Sequence, residues 1–171
     1  SEIMAMGMPY AAMWRYLGSA TPSYGNMVST FHTFYEAYPT PSGALSAIDC
    51  RQMDALASIM RNINSRYALP QAMVDSLQVL DGFATPLFFD LGDYVDHLCA
   101  NATLLSDFHA QLKRAVPYAA STQTLYSYLY DHPVYIPVNT FSGITISDPS
   151  TSSVAEKGKK NTEWWKATHK E

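Results

Sequence analysis

GALSAIDCRQMDALASIM, residues 43–60, changes its hydrophobic period from that of a strand to that of a helix within a few positions. Ala44, Leu45, Ser46, Ala47 and Ile48 are a short run of small and branched side chains, which predicts a buried strand over 44–48. Beyond it, Met53, Leu56, Ala57, Met60, Ile63 and Tyr67 recur at helical spacing and line one apolar face. Asp49 and Gln52 have the pattern of an N-terminal capping box. The helix has to stop before Pro70, which lacks the N–H the ladder needs.

Cys50 falls just after the strand, at the first turn of this helix, where the dipole lowers a thiol pKa and a nucleophile is well placed. No His adjoins it in sequence, and small apolar Cys is common in cores, so a structural role is expected.

Toward the C-terminus, 71–80 reads as another helix. Leu91, Tyr94, Val95, Leu98 and Cys99 then share one face of a helix opened by Asp90. Leu104, Leu105, Phe108, Leu112 and Val116 continue the pattern in a helix that follows almost at once. After Pro117 the character changes. TLYSYLY (124–130), PVYIPV (133–138) and GITIS (143–147) are rich in Tyr, Val, Ile and Thr, with Asp131, His132, Pro133 and Gly143 as turn residues, so they read as short strands. Pro133 and Pro137 push the middle one to a sheet edge, because neither can donate to a neighbour. Residues 150–171 are Ser/Thr-rich, then Lys-rich, and predict a loop and a short final helix whose Trp164 and Trp165 dock on the body.

Toward the N-terminus, 9–17 reads as a short helix with Pro9 in its first turn, ended near Gly18, and 24–37 as a second, ended before Pro39. Only Glu2, Arg15 and Glu36 are charged between Ser1 and Ile48, which predicts heavy burial of the first third. The middle is the opposite: six Asp and no Lys or Arg lie between Arg66 and Lys113. Such a stretch is an electrostatic attractor for basic peptides or, more simply, a solvated face with helix-capping Asp.

The 171 residues, 47% hydrophobic and 13% aromatic, supply ample core for a folded domain. A net charge of −4 and no interleaving of aromatics with Lys or Arg argue against nucleic acid as a partner. The longest uncharged runs are punctuated by Gly, Pro and Ser, so no membrane span is expected. No signal peptide opens the chain, although a fragment would have lost one. Five Lys in the tail are interspersed with three Glu, the pattern of a solvated helix.

Asp93, Asp96 and His97 lie close together on one predicted helix and His109 on the next, a set that allows a metal reading. The spacing matches no zinc or iron signature, and Asp93 with His97 is expected to be an exposed i,i+4 pair. His32, among Phe31, Phe34 and Tyr35, is expected to be a hydrogen-bonded core residue, and His132 and His169 to belong to a turn and the tail. Cys99 sits on an apolar stripe. A Cys50–Cys99 bridge suits an exported protein, but two cysteines without a staple pattern make free thiols the expectation. Asn101-Ala102-Thr103 has the glycosylation pattern, which carries no meaning in a bacterial protein. There is no phosphate loop, His-Glu-x-x-His motif or paired-carboxylate constellation, so no cofactor, metal or catalytic residue is assigned within the chain.

Four stretches occur in a meaningful order: Ser1, Glu2, Ile3, Gly7, Pro9 and Tyr10 of SEIMAMGMPY (1–10), then GALSAIDCRQMDALASIM, FFDLGDYVDHLCAN (88–101) and FSGITISDPS (141–150). Together they resemble the clostripain-like cysteine peptidases. In that family an Asp-Ala-Cys motif carries the nucleophile, and a Ser-Pro-x-Glu-Ile-x-x-x-Gly-x-Pro-Tyr segment follows it. A Leu-Ser-Ala-Ile-Asp strand and helix come next, then an Asp-Leu-x-Asp-Tyr/Phe helix start and a closing strand.

The resemblance implies an α/β chain: the C-terminal part of a caspase-like three-layer sandwich, with a helical subdomain and a few short late strands. Residues 1–149 would form that part and 150–171 an appended loop and helix. It also implies a bacterial, exported parent endopeptidase in which a His activates a Cys against a peptide carbonyl, usually after Arg or Lys. Both members of that dyad lie upstream of Ser1 in the family, and the Cys50 position is not catalytic there. Some basic-specific relatives carry an acid just before the Gly of the first motif, where this chain has Met6.

The chain alone is therefore expected to be inactive and to wall the substrate cleft of its parent. Its partners would be a peptide substrate and the N-terminal part of the same protein, or a second copy held through a flank rich in Met4, Met6, Met8 and Met13. The rival expectation is a non-catalytic binding module that uses its acidic face or its Tyr-rich strands.

Overall fold

The computed structural model describes residues 28, 29, 32, 33, 36 and 40–169. The strand read at 44–48 forms as β1 (Ala44–Ala47), with Leu45, Ser46 and Ala47 buried. The expected capping box does not form. Asp49 instead caps a single 3-10 turn, Cys50–Gln52, and holds the Arg51 guanidinium through bonds of 2.9 and 2.8 Å. That contact lowers the Asp49 pKa and raises that of Arg51. Gln52 caps nothing; its side-chain oxygen accepts a hydrogen bond from Gln111 Nε2 at 3.1 Å. The reason is reach. One turn of 3-10 helix places Asp49 too far back to serve the α-helix that follows.

Helix α1 (Met53–Asn64) buries Leu56, Ala57, Met60 and Ile63, the face expected from its spacing. The helix expected over 71–80 is corrected. Extended backbone at Pro70 leads into a 3-10 turn, Gln71–Ser76, and the chain then enters a strand, β2 (Val79–Gly82). Val79 pairs with Phe89 of β3 (Pro86–Asp90), and this non-local ladder overrides a weak local preference. Helix α2 (Leu91–Leu98) opens on Asp90 as expected, and Asn101 caps α3 (Ala102–Ala115) by accepting the Leu104 N–H.

Strand β4 (Tyr118–Ser121) pairs antiparallel with β1, from Ala44 opposite Ser121 to Ala47 opposite Tyr118. The three late strands form with shifted bounds: β5 (Thr124–Leu129), β6 (His132–Pro137), which takes in His132 and Pro133 that were read as turn residues, and β7 (Thr145–Ile146), shorter than the 143–147 read. β5 and β6 are a hairpin whose central turn residues Tyr130 and Asp131 both have positive φ, the geometry of a type I′ turn. Among the described residues β6 pairs only with β5, which agrees with its prolines. β7 joins β3 to complete a three-stranded sheet.

The main core gathers the apolar faces of α1, α2 and α3 with Phe89 of β3 and Ile144 and Ile146 beside and within β7. The apolar faces of α1 and α2 therefore do not share a cluster with β1. β1 lies in a separate two-stranded sheet, where Leu45 and Ala47 pack with Val28. A two-residue connection between α2's C-cap and α3 lets the two helices share the hydrophobic load with β3 instead.

The tail carries two helices, where one was expected: α4 (Ser153–Lys159) and α5 (Glu163–Thr168), capped by Ser152 and Thr162. Arg61 and Asn64 of α1 donate to the Ala167 and Thr168 carbonyls at 2.6 and 3.1 Å, and Trp164 reaches the main core. Residues 28, 29, 32, 33 and 36 are helical within the helix read at 24–37. The helix read at 9–17, the SEIMAMGMPY motif and the Met4, Met6, Met8, Met13 flank lie outside the described residues. No helix among the described residues is long and apolar enough to cross a membrane.

Candidate functional site

A cleft of about 640 Å³ opens beside β1, between the start of β5 and the segment leading into β7. Its framework is polar and tightly tied. Thr122, nearly inaccessible to solvent, donates to the Thr124 carbonyl at 2.6 Å and receives the Gly43 N–H at 2.9 Å. Ser42 Oγ accepts the Tyr126 N–H at 2.7 Å, and Ser46 donates to the Gly143 carbonyl at 2.7 Å. Gly143, at φ +87°, lets the chain close on β1; a Cβ there would stand 2.6 Å from Val116 Cγ1 and 3.0 Å from Ser46 Cβ.

The walls are aromatic and apolar, with Phe88, Tyr126, Phe141 and Leu80 prominent, and Asp81 is the one ionisable acid or base among the carboxylates, amines and guanidines lining it. Asp81 Oδ1 accepts from the Gly82 N–H at 2.8 Å and the Ser127 hydroxyl at 2.7 Å. The cleft can seat an extended chain with mixed side chains. Among the described residues it brings no Cys together with a His.

The residues singled out from sequence are dispersed. Cys50 is exposed and Cys99 buried, both as free thiols, and no His–Cys hydrogen bond occurs among the described residues. Asp93 and His97 are half-buried, not an exposed pair. Asp93 Oδ2 accepts the Gln78 N–H at 2.6 Å, and His97 Nδ1 lies 2.9 Å from the Asp93 carbonyl oxygen and 3.7 Å from its carboxylate. The reason is that Asp93 ties α2 to Gln78, the residue just ahead of β2, by taking its backbone N–H. Asp96 is instead paired with His109, at 2.7 Å across α2 and α3. No group of three potential ligands capable of holding a metal occurs among the described residues.

His32 Nε2 lies 3.0 Å from the Ser121 carbonyl oxygen and 3.5 Å from Glu36, hydrogen-bonded but only half-buried. His132 lies 2.8 Å from the Tyr130 carbonyl in the hairpin turn. His169 stacks on Trp165 with ring centroids 3.6 Å apart.

The acidic middle is not one face. Asp90 is fully buried: its Oδ1 accepts the Asp93 N–H at 3.0 Å and its Oδ2 the Ser142 N–H at 2.6 Å. Burial raises its pKa. Asp148, in a polar recess of about 360 Å³ beneath the tail helices, is likewise raised by burial, against the pull of His169 and Lys159. Nearby Tyr94 is pushed up to about 12 by burial and the Asp148 charge. Lys159 is buried there, donating to the Asp148 carbonyl at 2.8 Å and paired with Glu156.

Asp81, Phe88, Tyr126 and Phe141 were not legible as a set. The alternation in TLYSYLY was the available signal, since it places Tyr126 and Tyr128 on one face away from Leu125 and Leu129.

A scan against protein-family models and a search of curated proteins found no match. Solved structures do match. A clostripain from Bacteroides thetaiotaomicron, in complex with the peptide inhibitor BTN-VLTK-AOMK, superposes with a TM-score of 0.83 at 46% identity over 98% of this chain and 73% of that one. A secreted C11 cysteine protease from the same organism gives 0.82 at 44% identity, covering 95% of this chain and 45% of that one. An inactive zymogen C11 protease from Parabacteroides distasonis gives 0.69 at 25% identity, over 85% of this chain and 43% of that one. The chain thus spans less than half of the latter two, and its mixed helix and strand architecture is that of the caspase-like α/β fold expected from its motifs. At 46% identity across 73% of the clostripain, this chain belongs to the clostripain-like, or C11, family of cysteine proteases.

Proposed function

We propose that these residues form the part of a clostripain-like cysteine endopeptidase that walls the substrate cleft and supports its sheet, while the catalytic His and Cys come from polypeptide outside them. The observation that carries this reading is the 46% identity, over 98% of the chain, with a clostripain that binds a peptide inhibitor. The open cleft beside β1, built of hydroxyl-tied backbone and aromatic walls, suits a wall for an extended peptide.

In the complete enzyme the His takes the thiol proton, and the thiolate attacks the scissile carbonyl. The acyl intermediate is then released by water. The peptide of the clostripain inhibitor, VLTK, ends in Lys, which favours a basic residue before the cleaved bond; Met6, where basic-specific relatives carry an acid, leaves that preference weaker here. The N-terminal part of the same protein is the expected partner. Export from a bacterial cell is the expected location, as for the relative described as secreted.

A fluorogenic peptide ending in Lys tests the reading. The 171-residue chain gives no turnover, and joining it to polypeptide bearing the His and Cys yields activity that Cys50→Ala leaves within about twofold. Turnover by the 171 residues alone, abolished by Cys50→Ala, would overturn it.

A further inference from the structure

The β5–β6 hairpin buries Leu125, Ser127, Leu129 and Ile136 on one face and turns aromatic rings outward on the other. Tyr126 stands opposite Tyr135 with ring centroids 5.5 Å apart, and Tyr128 lies 5.4 Å from Phe83 of the β2–β3 connection. With Tyr130 at the turn, these five rings are 43% to 59% exposed. Exposed aromatics in one contiguous patch mark an interaction surface.

The charge around the patch says what fits it. No Lys or Arg occurs between Arg114 and Lys157, so the hairpin and its flanks bring no cation. One carboxylate adjoins the rings, that of Asp131 in the turn beside Tyr130. It forms no ion pair among the described residues. Tyrosine faces attract ammonium and guanidinium groups, and the acid adds to that potential. A second copy docking face to face would oppose acid with acid and supply no counter-charge.

Strand addition is closed off by the prolines. In a hairpin with a two-residue turn, Leu129 and His132 exchange hydrogen bonds, and so does every second pair beyond them. Pro133, Tyr135 and Pro137 therefore face the outer edge, where Tyr135 alone has an N–H, and the Pro137 carbonyl already accepts Gln78 Nε2 at 2.9 Å. A partner has to lie across the rings.

We propose that this outer face is a docking surface for an extended polypeptide segment bearing Lys or Arg, whose cationic groups sit over Tyr126, Tyr128 and Tyr135 beside Asp131. The surface needs no His–Cys dyad and shares only Tyr126 with the cleft, so substitutions at Tyr128 and Tyr135 test it separately from the peptidase reading.

Fluorescence anisotropy of the 171-residue chain with a fluorescein-labelled peptide of alternating Arg and Gly, and with its Glu and Gly counterpart, tests it. The Arg peptide binds, more weakly as salt rises, and the Glu peptide does not. Combining Tyr128→Ser with Tyr135→Ser raises Kd at least about tenfold. Asp131→Lys, a turn substitution that spares the packed face, weakens binding in the same direction if the tyrosine variant fails to fold. Equal binding of both peptides, no binding of either, or an unchanged Kd in the folded variants overturns the proposal. So does a dimer, seen by light scattering, that these substitutions abolish, because a second copy would then be the occupant.

Discussion

Helix α1 and the β5–β6 hairpin are both rich in large apolar side chains, yet they use them oppositely. In α1, Leu56, Met60 and Ile63 are wholly inaccessible, and the charged Asp54 and Arg61 lie away from that stripe. In the hairpin one face is buried and the other leaves Tyr126, Tyr128 and Tyr135 half in water. The difference follows from period. A helix gathers its apolar residues on one stripe and can bury all of them against one neighbour. A strand alternates, so TLYSYLY sends Leu inward and Tyr outward, and only the inward set contributes to the core. Tyrosine tolerates that position because its hydroxyl stays hydrated while its ring remains available for contact. α1 is therefore structural throughout, whereas the hairpin has a face to spare.

Met60→Asp should break the comparison most sharply, because it places a charge in a fully buried apolar site. A loss of about 4 kcal/mol or more is expected, read as a collapse of the thermal midpoint. A variant that melts with the natural chain would mean that the buried face is assigned wrongly.

Asp90→Ala comes next. It strips α2 of its cap and leaves the Ser142 N–H unpaired, at a cost of about 2–4 kcal/mol by urea denaturation. The effect should depend on pH. Burial raises the Asp90 pKa above the ordinary 3.8, so its contribution to stability is fully present below that value and is lost as pH rises through the raised one. The gap between the natural chain and the variant should then narrow as pH rises from below 3.8 through the raised value. A gap that widens would reverse the sign assigned to this group.

Gly143→Ala tests the seam between the hairpin's side of the molecule and the core. The new methyl meets Val116 at a backbone angle that L residues rarely adopt, and about 1–3 kcal/mol should be lost. Peptide docking in the adjoining cleft should weaken with it. Last, Tyr126→Ala removes one exposed cross-strand ring, and a loss under about 1 kcal/mol is expected. A larger loss, measured in the same melts, would show that the outer face of the hairpin is a structural element after all.

Much of this architecture was legible in the chain. The stripes of α1, α2 and α3, the Asp90 cap and the three late strands follow from spacing and from which residues can satisfy a bare helix end, whereas the Asn101 cap was not read. The strands β2, β3 and β4 were not. VLDG, PLFFD and YAAS are each four or five residues long, and two of them contain Gly or Pro. Such segments become strands because a distant partner offers them a ladder, and no local signal carries that information. The 2.7 Å contact of Asp96 with His109 was hidden for the same reason, since it joins two helices whose relative placement depends on how α2 and α3 share the core.

The candidate cleft lies at the far end of this scale. Its family could be read from four short motifs, because residues that build a strand end or a helix start recur at fixed offsets along the chain. Its walls could not, since Asp81, Phe88, Tyr126 and Phe141 come from separate segments. Periodicity and capping act over a few residues and are written in the order of the amino acids. The meeting of segments distant along the chain waits on packing, where Gly143 must admit Val116 and Ser46 before the cleft can have a shape.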